Sequence, residues 1–94
     1  MSEPLSFQAI DAALQTLPGW SYADDKLSKR FGFADFKEAL VFINRVGDAA
    51  ESANHHPEIF NVYNTVEIKL NTHDADGRVT QKDVALAGAI EGLS

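Results

Sequence analysis

Hydrophobic residues recur at two different spacings along the chain, and each spacing predicts one type of secondary structure. Three segments place apolar residues three or four positions apart, the period of a helix that is buried on one side. Each begins at a residue that can cap a helix, namely Ser6, Asp35 or Thr80. The apolar positions are Phe7, Ile10, Leu14 and Leu17 in the first segment, Phe36, Ala39, Leu40, Ile43, Val46 and Ala50 in the second, and Val84, Leu86, Ala87, Ile90 and Leu93 in the third.

Turn-forming residues set the limits of these helices. Pro18 stops the first one. Asn54 tolerates the left-handed conformation that often ends a helix, and Pro57 disfavours helical backbone at the residue before it, so the second helix must end there. Asp83 stands three residues after Thr80, which is an acidic variant of the capping box.

Alternation of apolar and polar residues predicts strands between the helices. Trp20 and Tyr22 form a short strand-like piece, Asp24-Asp25 reads as a turn, and Leu27–Phe33 alternates again. Phe60–Thr72 is also strand-rich, with a turn or bulge predicted in the sequence NVYN. After that turn Val66, Ile68, Leu70 and Thr72 are expected to face one way, and Thr65, Glu67, Lys69, Asn71 and His73 the other.

The order of elements is helix, two strands, helix, a strand or strand pair, and helix. It favours an α+β fold in which an antiparallel sheet carries helices on one face. A loop is predicted in the sequence DADG, where Gly77 can take a positive φ. With 94 residues the chain is expected to form a single domain, residues 1–94.

Charge and composition narrow the possible functions. The net charge of -6 repels phosphate backbones and anionic lipid, so we expect no direct nucleic-acid or membrane binding. There is no cysteine, which excludes thiolate chemistry and disulfides. No run approaches the roughly 20 apolar residues of a membrane span, and the first residues do not look like a secretory signal. A cytoplasmic location is therefore expected.

The titratable chemistry is concentrated in one segment. All three histidines lie between Asn54 and His73, with His55 and His56 adjacent at a helix end. If the strand pair folds back on itself, these two ends could line one cleft. Imidazole can give or take a proton near neutral pH, so such a cleft would suit an elimination in which one ring donates and another accepts a proton.

Simpler interpretations of the histidines stay open at this point. Two histidines at a helix end can place positive charge near the helix carbonyls. Three histidines can bind zinc, but adjacent ones have poor ligand spacing, and we predict no metal site. No phosphate-binding glycine loop or nucleophile elbow is present.

The segment Ala50–Ala87 resembles the signature of the pterin-4a-carbinolamine dehydratases. The resemblance is carried by a helical glutamate, then HHP, FNVYN, a strand ending in TH, a glycine-containing loop and an aspartate that opens the last helix. It implies loss of water from a 4a-hydroxytetrahydropterin to give a quinonoid dihydropterin in tetrahydrobiopterin recycling, with no cofactor. It further implies a four-stranded antiparallel sheet with three helices on one face, and a homodimer formed through the sheets or a homotetramer formed through the second helix.

The same resemblance assigns roles to individual residues. His55, His56 and His73 would surround the pterin as acid and base, with His55 and His73 as the pair and His56 mainly positioning. The implied substrate-binding residues are Glu51, Asn54, Pro57, Ile59 and Asp83. Among these, Glu51 and Asp83 would help to orient a ring, and Ile59 stands where many relatives have a tryptophan that could wall the pterin.

Other roles known in this family remain alternatives at this stage. Some members act as dimerisation partners of a transcription factor, so a protein partner is possible. A second alternative is a function on pterins in molybdopterin metabolism.

Overall fold

Four antiparallel strands form one sheet, and three α-helices pack against one of its faces. The structure is a computed structural model that describes residues 3–93. Along the chain the elements are α1 (Phe7–Leu14), β1 (Ser21–Ala23), β2 (Lys26–Gly32), α2 (Phe36–Ala53), β3 (Glu58–Val62), β4 (Thr65–Leu70), a 3-10 turn (His73–Ala75) and α3 (Gln81–Glu91). The strand order in the sheet is β1-β2-β4-β3. The predicted α+β fold is confirmed.

The core lies between the inner face of the sheet and the helices. Strand β4 alternates strictly, because Val66, Ile68 and Leu70 are fully buried while the residues between them are only partly buried. The helices bury Ile10 from α1, Ala39, Phe42, Val46 and Ala50 from α2, and Leu86, Ala87 and Ile90 from α3 against that face.

The apolar stripe predicted for α2 was wrong at its amino-terminal end. Phe36 and Leu40 are exposed, whereas Phe42 is buried in the core. Successive helical residues are rotated by about 100°, so a core face centred on Ala39 and Val46 includes position 42 and turns position 40 away. Phe36 and Leu40 therefore lie on the solvent-facing side of α2 rather than in the core.

All three predicted helix caps are present. The side chains of Ser6, Asp35 and Thr80 each accept a hydrogen bond from a backbone N–H in the first turn of α1, α2 and α3. Asp83 completes the capping box of α3 by accepting from the Thr80 N–H at 2.8 Å. Helix α1 ends at Leu14 rather than Leu17, although Leu17 is still buried in the following turn.

Two tight turns fold the strands back on themselves. Asp24 and Asp25 connect β1 to β2 with φ of 52° and 61°, the left-handed region in which aspartate is tolerated. Tyr63, with φ of 47°, lies in the turn between β3 and β4. Strand β3 begins at Glu58, ahead of the predicted Phe60, and its Ile59 pairs with Ile68 of β4.

Strand β4 ends earlier than predicted. It stops at Leu70, and His73 begins a short 3-10 turn instead of ending the strand. The cause is the closed loop that follows Thr72, whose carbonyl accepts hydrogen bonds from the N–H groups of Ala75 and Gly77. Gly77 takes the predicted positive φ of 72°.

An ion pair joins the far end of α3 to the sheet. The Lys29 ammonium on β2 contacts both carboxylate oxygens of Glu91 and the Pro18 carbonyl, each at 2.8 Å. It also lies 4.9 Å from the ring centroid of Phe31. Gly19 takes φ of +85° beside it, and a Cβ there would come within 2.8 Å of the lysine side chain. This cluster fixes where the last turn of α3 lies.

Candidate active site

The adjacent histidines lie where α2 ends and the chain becomes extended. Asn54 takes the left-handed conformation, φ 50° and ψ 43°, as predicted. The His55 N–H then donates to the Ala50 carbonyl at 3.1 Å, a bond that closes the last turn of the helix. Pro57 prevents the helix from continuing. The two histidine side chains therefore project from a corner rather than from a helix face.

The β3–β4 hairpin brings the end of β4 back to this corner. Together they form an open cavity of about 260 Å³. Its lining consists of Asn54, His55, His56, Asn71, Thr72, His73, Asp74 and Lys82. All three histidines thus line one cavity, which is the convergence that the sequence alone could only suggest.

His55 is held by a buried carboxylate. Its Nε2 lies 2.6 Å from Oδ1 of Asp83, and the two side chains are 10% and 0% exposed. An Nε2–H that donates to the carboxylate leaves Nδ1 as the ring nitrogen that carries a lone pair. Asp83 consequently fixes both the orientation and the tautomer of this imidazole.

Two buried threonine hydroxyls complete the surroundings of Asp83. Thr72 Oγ1 donates to Oδ2 of Asp83 at 2.8 Å, and the Thr80 N–H donates to the same oxygen at 2.8 Å. The two hydroxyl oxygens are 2.6 Å apart. The carboxylate is therefore an acceptor of three hydrogen bonds while being excluded from solvent.

The other two histidines are exposed. His56 Nε2 lies 3.6 Å from Oε2 of Glu51, and both side chains are largely solvent-accessible, so this contact is weak. His73 is exposed at the start of the 3-10 turn and lines the same cavity. These two rings can move, in contrast to His55.

Four of the residues predicted to contact a ligand lie outside the cavity wall. Glu51 is beside His56, and Asp83 lies behind His55 with no exposed surface. Pro57 is half-buried in the chain leading to β3. Ile59 belongs to a separate depression with Glu58, Phe60, Glu67 and Lys69, because its pairing with Ile68 places it farther along the hairpin. Ile59 therefore does not line this cavity.

Four lining residues were not singled out by the sequence. They are Asn71, Thr72, Asp74 and Lys82. For Asn71, Asp74 and Lys82 the available signal was proximity in sequence to His73 and Asp83, whereas Thr72 belongs to the TH pair of the family signature but was given no role. Lys82 lines the cavity because it lies in the first turn of α3, which borders the cavity.

No group of three or more histidine, aspartate or glutamate side chains within residues 3–93 is arranged to hold a metal ion. Over the same range, no helix is both long and apolar enough to cross a membrane.

The arrangement suits proton transfer to and from a small polar molecule. One imidazole is immobilised with a lone pair available, and two more mobile imidazoles lie around the same space. Asn54, Asn71, Asp74 and Lys82 add hydrogen-bonding groups of both kinds to the lining.

Several known proteins similar to this chain are described as pterin dehydratases. Residues 3–93 match the family described as Pterin 4 alpha carbinolamine dehydratase. A Thermosynechococcus vestitus protein named "Putative pterin-4-alpha-carbinolamine dehydratase" is 45% identical over 94 residues, covering 100% of this chain and 98% of the relative. A Bradyrhizobium protein of the same name is 49% identical and covers 100% and 96%. A crystal structure described as a transcriptional coactivator/pterin dehydratase from Brucella melitensis superposes with a TM-score of 0.90 at 34% identity, covering 96% and 97%.

Proposed function

The chain belongs to the pterin 4 alpha carbinolamine dehydratase family, and from this premise we propose that it removes water from a 4a-hydroxytetrahydropterin by histidine acid–base catalysis. The product is a quinonoid dihydropterin, and the reaction serves the recycling of tetrahydrobiopterin. The observation that carries this proposal is the convergence of His55, His56 and His73 on one cavity, with His55 bonded to a buried carboxylate.

The elimination needs one base and one acid. The C4a–O bond breaks, N5 loses its proton, and a C4a=N5 double bond forms as water departs. No electrons are gained or lost overall, and no external oxidant or reductant is required. The protein has to accept a proton at N5 and supply one to the leaving hydroxyl.

His55 is the proposed base. Its Nε2 is engaged by Asp83, so Nδ1 is left to accept the proton from N5. The contact with Asp83 also removes the need to reorient the ring during the reaction, as an orienting carboxylate does for a general-base histidine elsewhere. In this mechanism Asp83 is a positioning residue, since it has no exposed surface with which to touch the pterin.

His73 is the proposed acid. It lines the same cavity as His55, and its exposed side chain can approach the leaving hydroxyl. His56 is assigned to positioning the pterin, and Glu51 is only a weak neighbour of its ring at 3.6 Å. Asn54, at the same corner, is a candidate for a hydrogen bond to the pterin ring.

A dehydration assay on freshly made 4a-hydroxytetrahydropterin tests the proposed function. We expect the protein to form quinonoid dihydropterin faster than the spontaneous reaction in the same buffer. The matched control is a folded variant that lacks both His55 and His73, purified in the same way. Equal rates for the wild-type protein and this control would contradict the proposal.

We also propose that the chain assembles at least into a dimer. Five large apolar side chains are between 40% and 61% exposed on two surfaces, namely Phe36, Leu40 and Val41 on α2 and Phe60 and Val62 on β3. Strand β3 is in addition an edge strand, with backbone groups unpaired on one side. A monomer would leave both surfaces in contact with water.

Light scattering at micromolar concentration is expected to give at least twice the 10.3 kDa chain mass. Leu40→Arg and Val62→Arg distinguish the two surfaces, because a charge in a dimer contact opposes association. Whichever variant lowers the mass identifies the interface. A wild-type protein that remains monomeric at this concentration would refute the assembly.

A further inference from the structure

The buried hydroxyl of Thr72 has a role that the acid–base assignment does not use. We propose that Thr72 is a positioning residue for the dehydration, because it holds the carboxylate that orients His55. This inference rests on the proposed function for its kinetic part, whereas its structural part stands on hydrogen-bond geometry alone.

The direction of each hydrogen bond around Asp83 follows from counting protons. Thr72 donates its only hydroxyl proton to Oδ2 of Asp83. Thr80 Oγ1 lies 2.6 Å from Thr72 Oγ1, so the proton in that contact must come from Thr80. The Lys82 N–H in turn donates to Thr80 Oγ1 at 3.2 Å. In this series of hydrogen bonds, every proton is therefore donated in the direction of Asp83.

This series of hydrogen bonds ends at His55. One carboxylate oxygen, Oδ2, is occupied by Thr72 and by the Thr80 N–H, so only Oδ1 remains for the imidazole. Thr72 is 3% exposed, Thr80 is 1% exposed and Asp83 is 0% exposed, and water cannot easily replace a missing donor there. Without the Thr72 hydroxyl, the carboxylate can rotate towards Thr80 and release the ring.

The position of Thr72 in the sequence explains why its hydroxyl can reach Asp83. Thr72 follows β4 and Thr80 precedes α3, and the bridge between Thr72 and Arg78 holds the intervening loop closed. The hydroxyl pair thus joins the end of the sheet to the beginning of the helix that carries Asp83. A side chain without a hydroxyl would keep the backbone bridge and lose this connection alone.

Thr72→Val is the direct test, since valine preserves the branched shape and removes the hydroxyl. We expect kcat to fall about tenfold with little change in KM. A positioned acid or base contributes roughly 10²–10⁴-fold to the rate, and loss of the Thr72 hydroxyl should remove only part of that contribution. Thr72→Ser should restore most of kcat, because it returns the donor without the methyl group. Thr65→Val on β4 is the matched control, because among residues 3–93 that hydroxyl makes only one side-chain hydrogen bond, a long one of 3.4 Å to Asn64. It should leave kcat unchanged.

Nitrogen-15 NMR of the His55 ring provides a reading that does not depend on turnover. In the wild-type protein we expect a single tautomer with the proton on Nε2, and in Thr72→Val a mixture of both tautomers. A folded Thr72→Val variant with wild-type kcat and an unchanged single tautomer would overturn the proposal. Equal loss of kcat in the valine and serine variants would do so too, because packing would then be the cause. If the wild-type protein has no dehydratase activity, the NMR result still decides whether Thr72 orients His55.

Discussion

Replacing His55 with alanine is expected to lower kcat about 100-fold, within the roughly 10²–10⁴-fold range of a lost general acid or base. The reason is that His55 is the one imidazole of the cavity that is both nearly buried and fixed by a carboxylate. His73→Ala should lower kcat at least about tenfold. Steady-state kinetics of each variant, with folding checked by circular dichroism, give the measurement.

The double variant adds a sharper criterion. Because acid and base act in one step, the loss in kcat for His55→Ala with His73→Ala should be smaller than the product of the single losses. His56→Ala serves as the comparison, since that ring is exposed and only weakly paired with Glu51. If His55→Ala and His73→Ala both keep near wild-type kcat while folded, the acid–base assignment is wrong and these histidines are structural.

Replacing Lys29 with alanine is expected to cost about 2–3 kcal/mol of unfolding free energy. The ammonium satisfies Glu91 and the Pro18 carbonyl together, and both charged side chains are only about one-fifth exposed. Its loss leaves the Glu91 carboxylate in a poorly solvated position. Trp20, the only tryptophan, is buried and its ring centroid lies 6.2 Å from that of Phe31, so its fluorescence can report the denaturant midpoint.

Lys26→Ala is the matched control for this effect. Lys26 belongs to the same strand and contacts Glu58 at 2.6 Å, but the pair is more exposed. Surface pairs of this kind contribute about 0–1 kcal/mol, so the control should be close to the wild-type protein. A Lys29→Ala variant no less stable than Lys26→Ala would mean that the ion pair does not stabilise the fold.

Elements specified by neighbouring residues were predictable from the sequence. The caps at Ser6, Asp35 and Thr80, the left-handed Asn54 and the positive φ of Gly77 all follow from local backbone chemistry. The α+β class followed from alternation and element order, whereas the number of four strands came from the family resemblance. The caps and the two left-handed turn positions depend on contacts that are short in sequence, whereas the pairing of β2 with β4 joins distant residues.

Features that depend on distant contacts could not be predicted in the same way. The exposure of Phe36 and Leu40 depends on where α2 meets the sheet, which periodicity does not specify. The early end of β4 follows from hydrogen bonds to the Thr72 carbonyl across a loop. The contact of His55 with Asp83 joins residues 28 positions apart, so their pairing could be suggested by the family resemblance but not by spacing.

The cavity is built entirely from residues 54–83, counting the buried Asp83 with the lining. The preceding half of the chain contributes α1, two strands and most of α2, none of which lines the cavity. Substitutions on the outer surface of α2 can therefore change which macromolecules the protein meets without altering its chemistry. In evolutionary terms, selection can act on association and on turnover separately within one small chain, so a lineage can acquire a new assembly while it retains an old reaction.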